Sequence, residues 1–379
     1  MTVKRIPVDT YCEKKIPTLQ KTYDGLIDYV DISSVDNAEK KIISSQTIDA
    51  NDAPSRAKQL LKQGDVLVST VRPNLNAVAV VEEETENLMV GSTGYCVLRC
   101  KETMDVRYLF NFCQSQYFVD DMSSQATGAS YPAVSNGIVR SSLIPCYSIE
   151  EQKEIAEKMD TVSELLALRK QQLAELDELT KARFVELFVD KDFPKTTIGE
   201  LVASKVSSVK KVFLPTDTIK YIDISSIDNK RNIMTGFTEY VLEDAPSRAQ
   251  QHIRKGDIIV STVRPNLKNV AITGYDYDNL VASSGFCVLR AEKCLPSYLM
   301  AVVCSDDFTD AMTKVVTGAN YPAIKDSDVK NYVVPNPPVE LQEQFAAFVE
   351  QTDKSKLAIQ QSLDKLELLK KALMQKYFG

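Results

Sequence analysis

The segment GDVLVSTVRPNL at residues 64–75 recurs as GDIIVSTVRPNL at residues 256–267, which points to a fold built from two similar domains. Each copy is a β-branched run that Gly-Asp introduces and Arg-Pro ends, which is typical of a strand closed by a turn. Four more blocks recur in the same order: YVDISSVDN at 29–37, APSRA at 53–57, STGYCVLR at 92–99 and TGASYPA at 127–133 have counterparts at 221–229, 245–249, 283–290 and 317–323. With 34 of 41 aligned positions identical, the chain is an internal duplication.

A different kind of sequence follows each copy. Residues 149–187 contain no Gly or Pro, and their apolar residues follow a heptad spacing that continues in 339–379. Sustained heptads without breakers predict two long helices that form a coiled coil. The predicted interface positions are Ile155, Met159, Val162, Leu166, Leu173 and Leu176 on the first helix, and Ile359, Leu363, Leu366 and Leu373 on the second.

The polar interruptions of the two heptad patterns alternate. Arg169 interrupts the first where the second has Ile359, and Lys356 interrupts the second where the first has Leu166. Such patterns favour pairing of the helices with each other. Because a duplicated chain relates its halves by an approximate two-fold axis, we expect antiparallel packing with pseudo-two-fold symmetry. Two independent amphipathic helices, each lying on its own domain, are the alternative.

Each globular copy is predicted to be α/β (α+β). The predicted strands are Val66–Val71, Ile258–Val263, 76–81 and 95–99. The spacing of apolar residues predicts one helix at 106–122 with a counterpart at 297–312. The expected order is a domain at 1–148, a helix at 149–187, a second domain at 188–338 and a helix at 339–379.

Composition and charge bound the function. The 379 residues are 44% hydrophobic and 26% charged, which is ordinary for a globular protein. No apolar run approaches the roughly 18 residues of a membrane span, and no export signal is visible, so we expect a cytoplasmic protein with reduced cysteines. The net charge of −7 argues against a nucleic-acid binder when taken alone, although a nearly neutral domain can still present one basic face.

Enzymatic functions lack the necessary residues. The chain has one histidine, His252, whose counterpart is Leu60, so Cys-His catalysis and His-rich metal sites are disfavoured. Cys96 and Cys287 lie within predicted strands and fit buried packing positions. The sequence has no phosphate-binding P-loop. Asn-Pro-Pro at 336–338 lacks the aromatic residue that an adenine methyltransferase motif requires next, since Val339 follows. We therefore predict no catalytic residues and no metal site.

The order of domain, long helix, homologous domain and long helix resembles the DNA-specificity subunit of type I restriction-modification systems. The resemblance covers essentially the whole chain. It is carried by the STVRPN blocks and by the TGASYPAV and TGANYPAI loops, each followed by a short proline segment and a Gln-containing helix start.

The resemblance implies a function. Each copy is then a target recognition domain that reads one half of a bipartite double-stranded DNA sequence, and the helices are the spacer. It implies two modification subunits that use S-adenosylmethionine to methylate adenine, and restriction subunits that use ATP and Mg. No cofactor is expected in this chain.

The candidate DNA-binding residues are polar and lie in predicted loops: Arg56, Arg72, Asn74, Asn76, Ser130, Tyr131, Arg248, Arg264, Asn266, Lys268, Asn320 and Tyr321. Arg72 and Arg264 suit a phosphate fork or a bidentate guanine contact, or alternatively an internal pair with Asp65 or Asp257. Arg56 and Arg248 suit phosphate positioning. Tyr131 and Tyr321 have a structural alternative, which is favoured because the following proline fixes the loop. Asn76 against Lys268, and Ser130 against Asn320, are the differences expected to tune the two half-sites apart.

Because the two recognition domains are similar and are expected to be related by a near two-fold axis, we predict similar half-sites in inverted orientation. Two readers on one face of a duplex need centres roughly 34–36 Å apart. A helix of about 39 residues is a rod of roughly 58 Å and can hold them there. Two other functions are compatible with the sequence: a stand-alone bivalent DNA-binding protein and a protein-binding scaffold.

Overall fold

The computed structural model describes residues 3–189, 191–318 and 322–379. The chain forms two compact units. The first consists of residues up to Gln171 together with Gln360–Gly379, and the second of Gln172–Ile359. Each unit thus contains one globular copy, part of the first long helix and part of the last.

The first unit has a mixed α/β fold. Its strands are β1 (Arg5–Pro7), β2 (Leu26–Val30), β3 (Val35–Asp36), β4 (Lys41–Ile42), β5 (Gln46–Asp49), β6 (Ala57–Leu60), β7 (Val66–Ser69), β8 (Val78–Val80), β9 (Leu88–Ser92), β10 (Tyr95–Leu98) and β11 (Leu143–Pro145). Its helices are α1 (Val106–Gln114), α2 (Gln116–Gln125), α3 (Asn136–Ser141) and the start of α4 (Ile149–Phe184), which a π-helical turn at Val185–Val189 continues.

The second unit repeats this order. Its strands are β12 (Lys195–Thr197), β13 (Thr218–Ile222), β14 (Ile227–Asp228), β15 (Ile233–Met234), β16 (Thr238–Val241), β17 (Ala249–His252), β18 (Ile258–Ser261), β19 (Val270–Ile272), β20 (Leu280–Ser283), β21 (Phe286–Leu289) and β22 (Val333–Pro335). Its helices are α5 (Ile198–Leu201), α6 (Pro296–Cys304), α7 (Asp306–Lys314), α8 (Asp326–Lys330) and the start of α9 (Val339–Phe378).

Both units have the same sheets. A four-stranded sheet has the order β5-β2-β9-β6 in the first unit and β16-β13-β20-β17 in the second, with the two central strands parallel. A three-stranded antiparallel sheet has the order β10-β7-β8, repeated as β19-β18-β21. The equivalent pairing confirms the mixed α/β class for both copies.

The central strand β7 lies between two hydrophobic cores. Val66 and Val68 face a core that includes α1, whereas Leu67 faces a second core with Val30 and Tyr95. Because all four residues of β7 are buried, both faces of the strand are held in place. The loop that follows β7 therefore starts from a rigid base, as does the loop after β18, whose four residues are also buried.

Two predicted elements differ from the observed ones. The single helix predicted at 106–122 is two helices, because Ser115 adopts an extended conformation between them and its side chain accepts a hydrogen bond from Phe118 N. The counterpart at 297–312 breaks in the same way at Ser305. The strand predicted to Val71 ends at Ser69, whose Oγ bonds to the backbone of Val71, and Val71 forms an isolated bridge with Ala133.

The long helices pack antiparallel within each unit. In the first unit, Ile155 and Met159 near the start of α4 share a core with Phe378 at the end of α9. In the second, Phe184 and the following Phe188 pack against Phe345 near the start of α9, with Phe188 and Phe345 ring centroids 5.5 Å apart. The start of each helix thus lies beside the end of the other, which confirms the predicted antiparallel arrangement.

Candidate nucleic-acid interface

In each unit, two loops join at the end of the central strand. The Arg-Pro-Asn loop after β7 is bound to the Tyr-Pro-Ala loop, because Arg72 N donates to Pro132 O at 2.7 Å and Val134 N donates to Thr70 O at 2.9 Å. In the second unit, Arg264 N donates to Pro322 O at 2.8 Å. Each unit therefore presents the same pair of loops from a buried strand.

The arginine at the start of each Arg-Pro-Asn loop has a left-handed backbone. Arg72 has φ +50° and Arg264 has φ +51°, a region that costs a non-glycine residue on the order of 1–3 kcal/mol. The strained backbone is held by the hydrogen bond to the proline carbonyl and by the short 3-10 turn at Pro73–Leu75. Strain retained twice at an exposed arginine points to a functional loop.

The Arg72 side chain is available for binding. It is exposed, and its guanidinium carbon lies 4.9 Å from the centroid of the Tyr131 ring. Stacking on an aromatic face orients a guanidinium and leaves its N–H donors free. Tyr131 is itself 69% exposed, so both groups face solvent.

The internal arginine–carboxylate pairs do occur, but with other arginines. Arg99 binds buried Asp65 through Nε at 2.8 Å and Nη2 at 2.7 Å, and Arg290 binds Asp257 with the same two distances. Hydrogen bonding to the carboxylate raises the pKa of Arg99 above its ordinary value. Among the residues that the structure describes, Arg72 and Arg264 have no carboxylate partner.

Three other predicted residues lie in the same loops and are exposed. Asn74 and Asn266 lie in the 3-10 turns after Arg72 and Arg264. Ser130 is exposed beside Tyr131 in the Tyr-Pro-Ala loop. Asn320 and Tyr321, which were predicted for the second unit, lie outside the described residues.

Asn76 and Lys268 are half-buried and already bonded. Asn76 Nδ2 donates to Cys113 O at 2.8 Å, and Asn76 Oδ1 accepts from Lys40 Nζ at 2.9 Å. Lys268 Nζ pairs with the Asp306 carboxylate at the start of α7, and this ion pair lowers the pKa of Asp306. Both residues have a left-handed backbone and close the Arg-Pro-Asn loop. Their side chains support this loop, and the expected tuning of the two half-sites by this difference stays a prediction.

Arg56 and Arg248 connect to the loops through the backbone. Arg56 O accepts from Thr93 N at 2.8 Å, and the adjacent Gly94 O accepts from Thr70 N at 2.9 Å. Arg248 O accepts from Ser284 N at 2.8 Å in the second unit. Both arginines are exposed and immediately precede the edge strands β6 and β17 of the four-stranded sheets.

All ten predicted coiled-coil residues are buried or half-buried. Ile155, Met159, Val162, Leu166 and Leu363 are buried, and the other five are half-buried. Lys356, one of the polar interruptions, pairs with Asp177 at 2.6 Å in the second unit. The polar gap is thus filled by an ion pair.

The groups considered for catalysis are in packing positions. His252 is buried, contacts Phe213 edge-on, and its Nε2 lies 2.9 Å from Asp278 O. Burial raises the pKa of the Cys96 and Cys287 thiols to about 12, which disfavours the reactive thiolate. In the described part of the chain, no three His, Cys, Asp or Glu side chains are grouped so that they could hold a metal ion.

The sequence reasoning missed a turn that adjoins each Arg-Pro-Asn loop. Lys40, between β3 and β4, is bonded to Asn76, and Asn232, between β14 and β15, donates to Lys268 O at 3.1 Å. The signal that marks these turns is the Asp-Asn pair at the end of the YVDISSVDN and YIDISSIDN blocks, because Asp and Asn favour turns.

None of the described helices combines the length and the apolar character that crossing a lipid bilayer requires.

Comparisons with known proteins agree with this geometry. The family model for the type I restriction modification DNA specificity domain matches twice, at residues 10–178 and 191–369. The MjaVIII type I restriction enzyme specificity subunit of Methanocaldococcus jannaschii is 25% identical over 277 residues, 67% of this chain and 65% of the relative. The EcoKI specificity subunit of Escherichia coli K12 is 25% identical over 320 residues, 74% of this chain and 67% of the relative. The chain thus spans about two thirds of the length of these curated relatives.

Two solved structures show the same fold. A chain from a structure concerned with assembly and conformational transition of the type I R-M system has a TM-score of 0.62 at 24% identity and covers 100% of this chain and 99% of its own. The type I restriction-modification S subunit from M. genitalium has a TM-score of 0.61 at 15% identity and covers 100% and 96%. With both copies matched by the family model, the chain belongs to the type I restriction-modification DNA specificity family.

Proposed function

We propose that this chain is the DNA-recognition subunit of a type I restriction-modification complex and that each unit reads one half of a bipartite target. The chain provides sequence recognition and has no catalytic role. The observation that carries the proposal is the paired loop that occurs once in each unit. It holds an exposed arginine, Arg72 or Arg264, on a strained backbone next to a buried strand.

The chemistry of the paired loops suits DNA. A guanidinium can donate two parallel hydrogen bonds to guanine O6 and N7, or bridge phosphate oxygens. Stacking on Tyr131 orients the Arg72 guanidinium before binding, which lowers the entropy that binding costs. We assign base reading to residues of the paired loops and phosphate contact to Arg56 and Arg248. The base-reading set is Arg72, Asn74, Ser130, Tyr131, Arg264, Asn266, Asn320 and Tyr321.

Asn76 and Lys268 have an indirect role in this proposal. Their side chains fix the end of each Arg-Pro-Asn loop through different partners. They therefore influence which bases each unit prefers through the position of the loop, without contacting the bases.

The partners follow from the family. We propose that two modification subunits bind this chain, contribute S-adenosylmethionine and methylate adenine in the cytoplasm. Restriction subunits that use ATP and Mg then join the complex. Because the two Arg-Pro-Asn loops have matching backbone angles, we propose that the half-sites are similar, inverted and separated by unspecified base pairs.

Methylome sequencing tests the proposal. A host that carries this chain with its neighbouring modification subunit is compared with a host that carries the modification subunit alone. The expected result is a new methylated motif with two similar inverted halves. Two unrelated half-sites would refute the inverted-repeat part. A complete absence of a new motif, together with failure to co-purify with the modification subunit, would refute the recognition role.

A further inference from the structure

A β-turn in each unit lies against the Arg-Pro-Asn loop. In the first unit, Lys40 Nζ donates to Asn76 O at 2.5 Å and to Asn76 Oδ1 at 2.9 Å. In the second unit, Asn229 Nδ2 donates to Leu267 O at 2.8 Å, and Asn232 Nδ2 donates to Val270 O at 3.2 Å. Different side chains therefore attach the turn to the same loop.

These turns are rigid. Asp36 Oδ1 accepts from the backbone N–H groups of Ala38 and Glu39, both at 2.7 Å. Asp228 Oδ1 accepts from those of Lys230 and Arg231 at 3.0 and 3.1 Å. Each aspartate carboxylate fixes the backbone of its turn, so the side chains of the two residues that donate to it project from a defined backbone.

The chemistry of the projecting residues differs between the units. The first unit has Ala38 and Glu39, whereas the second has Lys230 and Arg231, and all four are exposed. Within the described ranges, neither Lys230 nor Arg231 has a carboxylate partner, although Lys220 and Lys255 in the same unit do. Two unpaired cations on a rigid support next to a candidate DNA loop are an efficient phosphate contact.

We propose that Lys230 and Arg231 bind DNA phosphates beside the second half-site, so that the second unit binds the DNA backbone more strongly than the first. This proposal rests on the proposed function, because it places DNA at the Arg-Pro-Asn loops. Phosphate contacts carry no base information, so the effect applies to target and unrelated duplexes alike.

The size of the effect follows from counterion release. Each phosphate contact contributes a slope of about −0.9 to log K against log salt concentration, so two contacts contribute about −1.8. When salt rises from about 50 to 200 mM, the affinity of the wild-type complex is therefore expected to fall by roughly 12-fold more than that of a variant that lacks both contacts. The double substitution Ala38→Lys and Glu39→Arg in the first unit is expected to make the slope of log K against log salt concentration more negative by at least about 1.8.

The experiment measures binding of the full chain with its modification subunits to a duplex carrying the methylome-derived motif, across a salt series. The test variant is Lys230→Ala with Arg231→Ala. The matched control is Arg254→Ala with Lys255→Ala, which removes the same two charge types from exposed positions before β18, at the strand end opposite Arg264. The expected result is a shallower slope for the test variant and a nearly unchanged slope for the control.

Three outcomes separate the ideas. A shallower slope in the test variant alone supports the proposal. An unchanged slope in the test variant, while Arg264→Ala still weakens target binding, overturns the phosphate contact and leaves the proposed function intact. If the wild-type complex binds target and unrelated duplexes equally and Arg264→Ala has no effect, both are overturned.

Discussion

The two Arg-Pro-Asn loops have one backbone and two sets of supports. The arginine φ angles are +50° and +51°, and those of the closing residues, Asn76 and Lys268, are +48° and +51°. Asn76 is fixed by Cys113 O and Lys40, whereas Lys268 is fixed by the Asp306 carboxylate. The repeated blocks thus determine the backbone, and the residues around them determine its charge and chemistry.

The buried Arg99–Asp65 and Arg290–Asp257 ion pairs provide the strongest test of the structure that the two units share. Replacing Asp65 or Asp257 by Ala leaves Arg99 or Arg290 unpaired, which is expected to cost about 3–5 kcal/mol in the free energy of unfolding of the affected unit. Hydrogen exchange resolved along the chain measures the loss in each unit. Asp276→Ala, which removes only an exposed contact to Lys255, is the control and has little effect. Markedly unequal losses in the two units would show that the pairs are not equivalent.

Gly128→Ala is the next largest perturbation and acts on one unit. Gly128 has φ +103°, and a Cβ there would lie 2.8 Å from Tyr131 O. We expect a loss of about 1–3 kcal/mol in the stability of the Tyr-Pro-Ala loop and a selective weakening of the first half-site. Binding to duplexes altered in one half at a time measures this. Gly137→Ala, which meets only Ser135 Oγ at 3.6 Å, is the control. Equal weakening of both halves would contradict separate reading.

Sequence alone predicted the duplication, the long helices and the two kinds of loop, but not that these loops meet. It did so because repeats and helical periodicity are local patterns that a single chain displays directly. It did not predict that Asn76 and Lys268 are bonded internally. Those bonds reach Cys113, Lys40 and Asp306, which are distant in sequence and come close only through the packing of α1, α2, α7 and the β3–β4 turn.

Two further features also depended on information that pattern reasoning lacks. The order of the sheets depends on pairing between distant strands, such as parallel β2 and β9. The break at Ser115 leaves the apolar spacing of 106–122 intact, so periodicity could not reveal it. The available sequence signal was Ser115 itself, because serine favours the N-cap position that it occupies at the start of α2.

The Lys268–Asp306 pair tests how the second Arg-Pro-Asn loop is supported. Asp306→Asn removes the partner of Lys268, whereas Asp307→Asn removes an equal charge from the same helix turn without freeing Lys268. Because Lys268 fixes the end of the Arg-Pro-Asn loop through this exposed pair, and an exposed ion pair contributes only about 0.2–1 kcal/mol, we expect Asp306→Asn to bind the target less than about fivefold more weakly than Asp307→Asn. Dissociation constants at one salt concentration test it. Equal affinities of the two variants would show that only net charge matters.

The two units are also expected to differ in the pH dependence of their stability. Burial, together with neighbouring Lys370, lowers the pKa of Lys40 from its ordinary value to about 8, and the second unit has Asn232 in its place. Because folding disfavours the charged form, this penalty is relieved as pH rises from about 8 towards the ordinary lysine pKa. We therefore expect the first unit of the wild-type chain to gain stability over this range relative to Lys40→Met.

Unfolding of both proteins at several pH values measures this difference. Lys41→Met, at the exposed neighbouring position, is the control and retains the wild-type pH dependence. If Lys40→Met and wild type show the same dependence, Lys40 is not the titrating group.

The methylome of hosts carrying Arg72→Ala or Arg264→Ala with the modification subunit tests whether each paired loop reads one half-site. A bidentate base contact contributes about 1–3 kcal/mol of discrimination, so each variant is expected to relax the base preference of one half of the methylated motif and leave the other half unchanged. If either variant altered both halves equally, or neither variant altered the motif, the assignment of one half-site to each paired loop would be wrong.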